Sequence, residues 1–178
     1  FKLYAYCLMN NHIHLLIEEG PVNLSRIMQG IQQSYTQYVN KKYKTTGHVF
    51  EQRYKSKPCT EDAYFERLIA YIHNNPVESG VVKTCKEYNW SGHNEIVQEG
   101  GDILIDKSGL YSLIGNDGIK NYFEIMNNFT MITEEIVEKA YLSQEEIEEK
   151  IDENRLSFSL KNKGSLEIEE INEMIENL

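Results

Sequence analysis

Two histidines, His12 and His14, are separated by one apolar residue within a largely apolar stretch of the chain. In a β-strand, side chains two residues apart point to the same side, so both imidazoles could reach one metal ion. The alternative is a pair of histidines that hydrogen-bond polar neighbours. The His-x-His pattern alone does not separate the two, and we treat it as a candidate metal site.

A second candidate feature is the pair Tyr71 and Asn75, which are four residues apart in a segment with helical periodicity. This spacing makes them neighbours on one helix face. The alternatives are a core tyrosine with a hydrogen-bonded hydroxyl and an Asn-Pro step that only ends a helix. A third feature is the alternation of Arg53, Lys55 and Lys57, which predicts a narrow basic ridge on one face of a strand.

The apolar pattern predicts the elements that position these residues. Residues 3–17 are dominated by apolar side chains and are predicted to form a buried strand. A helix follows, with Asn23 as its N-cap and its end near residues 41–44. Residues 47–57 are predicted to form a second extended segment. A second helix is then predicted to open at Thr60 and to close before Pro76, because proline disfavours helical geometry in the preceding residue.

Charge divides the chain into two parts. Residues 1–98 hold 11 Lys and Arg against 9 Asp and Glu, a net charge of +2, whereas residues 99–178 hold 7 against 19, a net charge of −12, which together give −10. An acidic protein is ordinarily a poor partner for nucleic acid, but this objection applies mainly to the second part. We predict a boundary in the glycine-rich residues 99–102.

The acidic part, residues 99–178, is predicted to be helical. Thr133 and Ser143 are expected helix caps, and apolar residues from Ile168 to Leu178 form one stripe of a final helix. The protein partner of this acidic part is unknown. The composition, with 40% hydrophobic and 26% charged residues, favours a folded cytoplasmic protein, and the three widely spaced cysteines are expected to be reduced thiols.

Four segments in the first half of the chain carry a specific resemblance. They are residues 4–17, Gly47–Lys55, Tyr71–Val77 and Tyr88–Ser91. In this order they resemble the HUH single-tyrosine transposases, and more closely the REP-associated tyrosine transposase branch. The opening strand and helix of that family have no counterpart here, so we expect the chain to be truncated at its start.

The resemblance implies an α+β, ferredoxin-like (RRM-like) fold, with helices on one face of an antiparallel sheet that carries the histidines. His12 and His14 take the positions of metal ligands, Tyr71 that of the nucleophile and Asn75 that of a further metal ligand. Neutral imidazole and amide ligands leave Mg²⁺ or Mn²⁺ its full charge to act on a phosphodiester. A tyrosine hydroxyl, with a pKa of about 10, needs such a cation to react at neutral pH.

The implied substrate is single-stranded DNA beside a hairpin or palindromic repeat, cut through a 5′-phosphotyrosine. Arg53, Lys55 and Lys57 are candidate phosphate contacts, and Tyr54 or Phe50 could stack on an unpaired base. The alternative for the basic residues is an edge strand that is charged to prevent aggregation.

Other functions stay open. One is a domesticated, non-catalytic protein that binds DNA hairpins. Another is a replication or plasmid-relaxing HUH enzyme, which would more often carry a third histidine or a second tyrosine near the first. A structural scaffold without a nucleic-acid role is a last alternative, and the sequence does not distinguish a monomer from a homodimer.

Overall fold

The computed structural model describes residues 1–98, 104–115 and 117–129, and the backbone of residues 156–160. The helices and strands, in chain order, are β1 (Lys2–Met9), β2 (His12–Glu18), α1 (Leu24–Tyr43), β3 (Lys55–Pro58), α2 (Asp62–Glu78), α3 (Gly92–Val97), α4 (Lys107–Ile114), α5 (Ile119–Asn127) and β4 (Leu156–Leu160). Helices and an antiparallel sheet in one chain confirm the predicted α+β class.

The described strands form one antiparallel sheet in the order β1-β2-β4-β3. The single strand predicted over residues 3–17 was wrong, because Asn10 and Asn11 form a two-residue turn and Met9 pairs with His12 across it. Asparagine favours such turns over strands. Strand β4 lies in the region predicted to be helical, and its alternation of apolar and polar residues has the period of a strand.

Helix α1 agrees with the prediction, since the Asn23 side chain accepts a hydrogen bond from the Arg26 backbone N–H at 3.0 Å. Helix α2 differs at both ends. Its N-cap is Glu61 rather than Thr60, and it continues through Pro76 to Glu78. A proline removes only its own backbone donor, and the next turn still closes, with the Ser79 N–H donating to the Asn75 carbonyl at 2.9 Å.

The extended segment predicted before α2 is much shorter than expected. Only β3 is a strand, and Arg53 and Tyr54 precede it. Residues 48–54 run as a loop along α1, where the Phe50 ring packs against Tyr35 with 5.7 Å between ring centroids. Arg53 therefore lies in a loop, whereas Lys55 and Lys57 lie in β3, and Arg53 does not share a strand face with Lys55.

The segment Tyr88–Ser91 covers the outer edge of β1. The Leu8 N–H donates to the Trp90 carbonyl at 2.8 Å, and the Tyr88 hydroxyl donates to the Leu8 carbonyl at 2.6 Å. Cys7 and Ser91 form an isolated antiparallel bridge. Because an open strand edge invites pairing with other chains, this sequence motif has a structural role in the fold.

The described helices of the acidic part pack onto the first part. The Asp106 N–H donates to the Leu3 carbonyl at 2.9 Å, and Ile105, Leu110 and Tyr122 belong to the same hydrophobic core as β1 and α2. Helices α4 and α5 agree with the expected helical content of this part.

Several predictions for the acidic part lie outside the described residues: the boundary at 99–102, the caps Thr133 and Ser143, and the stripe from Ile168 to Leu178. The division of the chain at residue 98 stays a prediction. All three cysteines are free and buried, as expected. No helix in the described residues is both long and apolar enough to cross a membrane.

Candidate active site

The two histidines lie at the start of β2 and share one face of the sheet. His12 is the first residue of the strand and is half-buried, whereas His14 is fully buried beneath it. Their ring centroids are 4.8 Å apart and the rings are nearly perpendicular. The hairpin therefore places one imidazole at the rim of the sheet and one in the core.

Helix α2 packs against β1 and β2 and brings Tyr71 to the histidines. The edge of one ring meets the face of the other between Tyr71 and His14, with 5.5 Å between centroids. Asn75 follows one helical turn later on the same face and is buried, at 7% exposure, much like Tyr71 at 8%. The structure thus assembles His12, His14 and Tyr71 and places Asn75 one turn further along α2.

The orientation of His12 is set by its neighbour in the turn. The His12 Nδ1 lies 2.6 Å from the Asn11 Oδ1, which is an acceptor, so Nδ1 carries the proton and donates it. The lone pair is then on Nε2, which is the arrangement of a metal-binding histidine whose second nitrogen is held by a carbonyl or carboxylate. Sequence reasoning missed Asn11, although its place directly before the His-x-His pattern was a signal.

The distance between the two histidine rings is compatible with a shared ion. With metal–nitrogen bonds of about 2 Å, two imidazoles on one ion have ring centroids roughly 5 Å apart. The observed 4.8 Å agrees with this value. Within the described residues, no group of three or more His, Cys, Asp and Glu side chains could hold a metal ion. The proposed set therefore depends on the amide of Asn75 as the third protein ligand.

The basic residues divide into two groups. Leu160 of β4 pairs with His14 on one side and with Lys55 on the other, so Lys55 lies two strands from His14, about 10 Å, on the same side of the sheet. Lys57 lies over the Tyr64 ring of α2, with its Nζ 4.6 Å from the centroid. Arg53 and Tyr54 instead line a cavity beside α1.

A second cluster of histidine and tyrosine occupies another side of α2. His73 is fully buried, and its Nδ1 lies 2.9 Å from the hydroxyl of Tyr122 in α5. The same hydroxyl lies 2.7 Å from the Nδ1 of His93 in α3. Burial, followed by the neighbouring His93, lowers the pKa of His73 to about 3. No local sequence pattern predicts this cluster, because its members are separated by up to 49 residues.

Comparison with known proteins gives one match, which covers the residues of the first cluster. Residues 1–75 match the family model described as "Transposase IS200 like", a range that includes His12, His14, Tyr71 and Asn75. The match supports the transposase family. The matched range makes up 75 of the chain's 178 residues. No significant match was found among curated proteins or solved structures.

Proposed function

We propose that the chain nicks and rejoins single-stranded DNA at hairpin or repeat ends, with Tyr71 as the nucleophile. The Tyr71 oxygen would form a bond to the scissile phosphorus while the bond from phosphorus to the 3′ oxygen breaks. The products are a 5′-phosphotyrosine and a 3′-hydroxyl, which receives the proton lost by the tyrosine. The reverse reaction with another 3′-hydroxyl joins strands without ATP, because the phosphodiester energy is kept.

The observation that carries this proposal is the contact between Tyr71 and His14, beside His12, within the residues that match the transposase family model. His12, His14 and Asn75 would hold a divalent ion, Mg²⁺ or Mn²⁺. When bound, such an ion supplies Lewis-acid stabilisation of negative charge at the phosphate. Asn11 keeps the His12 Nε2 available as a ligand by accepting the proton of Nδ1.

The substrate would be bound through its phosphates and unpaired bases. Lys55, on the histidine side of the sheet, is a candidate phosphate contact, and Lys57 reaches the same side of α2. Arg53 and Tyr54 would contact the strand outside this site, in the cavity beside α1.

The test is formation of a covalent protein–DNA adduct. The full chain is mixed with a labelled library of single-stranded hairpins and Mn²⁺, and the products are separated on denaturing gels. We expect an adduct that Tyr71→Phe reduces at least about 10³-fold, since the nucleophile is lost, and that His12→Ala or EDTA also suppresses. Tyr43→Phe, at an exposed position on α1, is the matched control and should leave the adduct unchanged.

A second candidate function is a hairpin-binding protein without catalysis. The observation that favours it is the burial of Tyr71 and His14, because a nucleophile must meet a phosphate. This function predicts hairpin binding that persists in EDTA, with no adduct in the wild type. An adduct that survives Tyr71→Phe would contradict both candidates.

A further inference from the structure

We infer that the cavity between α1 and the loop 48–54 binds one unpaired base of single-stranded DNA, with a preference for adenine. This inference rests on the proposed function, because it takes single-stranded DNA as the partner. The cavity has a volume of about 660 Å³, which lies within the range of about 300–1,000 Å³ that is usual for small-ligand sites. All of its lining residues lie within the part of the chain that matches the transposase family model.

The α1 wall of the cavity is formed largely by glutamines, namely Gln29, Gln32, Gln33 and Gln37. Their spacings of three, four and eight residues place them on one side of the helix. The amides of Gln32, Gln33 and Gln37 each offer an acceptor and donors next to each other, and this arrangement matches the N6 amino group and N7 of adenine. The Gln29 Oε1 already accepts a hydrogen bond from the Arg26 guanidinium at 3.1 Å. In a single strand these base edges are not used in pairing, so the amides can reach them.

The wall formed by the loop 48–54 supplies the aromatic rings of Phe50 and Tyr54, and both residues contact α1. Phe50 packs against Tyr35, with 5.7 Å between ring centroids, and both Phe50 and Tyr54 are half-buried. The Tyr54 hydroxyl is 2.8 Å from the Ser25 Oγ. Bases stack on such rings in single-strand binding sites, and a ring that is already held loses little freedom when the base arrives.

The charge of the cavity fits an anionic ligand. Arg53 is in its lining, and among the residues that the structure describes no aspartate or glutamate lines it, although the chain has 28 of these acidic residues. Arg53 can bind the phosphate next to the base while the amides contact the base edge. Amides, stacking rings and one guanidinium together favour a nucleotide over a peptide as the occupant.

The test compares the affinities of short oligothymidine strands that carry a central adenine, guanine, cytosine or thymine. Fluorescence anisotropy with the full chain in EDTA measures binding without any nicking. We expect the adenine strand to bind at least about fivefold more tightly than the thymine strand, and the double variant Gln32→Met/Gln33→Met to abolish this preference. Gln98→Met, at an exposed glutamine at the end of α3, is the matched control.

Each outcome separates this inference from the proposed function. Equal affinity for all four strands, or a preference that survives the double variant, overturns the adenine site while leaving the adduct experiment to decide on nicking. Tighter binding of the matching RNA strand overturns DNA as the occupant. Adenine-selective binding without an adduct would support the cavity and contradict catalysis by Tyr71.

Discussion

Two sides of helix α2 each carry a cluster of histidine and tyrosine, and the side chains of the two clusters contact one another differently. One side presents Tyr71 to His12 and His14, and the other presents His73 to Tyr122 and His93. In the first cluster the His14 ring contacts the rings of both His12 and Tyr71, and His12 is half-buried at the rim of the sheet. The second is a closed hydrogen-bonded chain in which the Tyr122 hydroxyl lies between two Nδ1 atoms.

The two clusters differ in access at one residue, because His12 is half-buried whereas every member of the second cluster is buried. One hydroxyl can donate only one proton, so Tyr122 donates to one histidine and accepts from the other. The His73 Nε2 is buried and makes no hydrogen bond to a described residue, which favours His73 as the Nδ1–H donor and His93 as the acceptor. A Cβ on Gly92 would lie 3.2 Å from that Nε2 and 2.2 Å from the Ile105 Cδ1, so the second cluster is sealed by close packing.

The largest effect on stability is expected from removing the hydroxyl of the sealed cluster. Tyr122→Phe would leave two buried imidazole nitrogens without their partner, and each such loss costs about 1–3 kcal/mol. We expect the free energy of unfolding to fall by about 2–6 kcal/mol, measured by urea denaturation.

Tyr71→Phe is the matched comparison, because phenylalanine retains the ring contact with His14. It should destabilise the protein less than Tyr122→Phe, because the Tyr122 hydroxyl bridges two buried imidazoles, and it should remove the DNA adduct. Equal losses of stability in the two variants would show that the two clusters have the same structural role, and the contrast between them would be wrong.

The sequence predicted the local parts of the candidate site and missed the parts that depend on distant contacts. The period of two in β2 and the four-residue step in α2 placed the histidine pair and the pair Tyr71 and Asn75 on their faces. Apolar composition alone predicted one strand over residues 3–17, whereas the turn at Asn10 and Asn11 divides this range into β1 and β2. Tyr122 has no signal in its own neighbourhood, because its partners come from two other helices.

An intermediate effect is expected from replacing Asn11, which would position His12, a proposed metal ligand in the first cluster. Asn11→Ala removes the acceptor of the His12 Nδ1–H, and loss of such a partner typically weakens metal binding about 10–100-fold. Titration with Mn²⁺, followed by electron paramagnetic resonance of the free ion, would measure the change without any DNA.

The control for Asn11→Ala is Asn10→Ala, the other residue of the same turn, which should leave Mn²⁺ affinity unchanged. Asn11→Asp restores an acceptor and should recover most of the affinity. If Asn10→Ala and Asn11→Ala weaken binding equally, the turn as a whole matters and the hydrogen bond to His12 does not.

The smallest effect is a pH dependence that belongs to the sealed cluster. Burial lowers the pKa of His93 below its ordinary value of about 6.5. As the pH falls below that value, the unfolded chain therefore takes up protons that the folded chain does not. The contribution of the neutral His93 to the free energy of unfolding is therefore complete above about pH 6.5. Below that pH it declines by up to about 1.4 kcal/mol per pH unit for one histidine.

His93→Gln keeps a polar side chain but cannot take up that proton, so urea denaturation between pH 7 and 5 should show a smaller loss of stability than in the wild type. His48→Gln, at an exposed position in the loop beside α1, should reproduce the wild-type slope. If His93→Gln also keeps the full slope, His93 is not the group responsible, and His73, whose pKa burial lowers to about 3, accounts for the loss of stability at low pH.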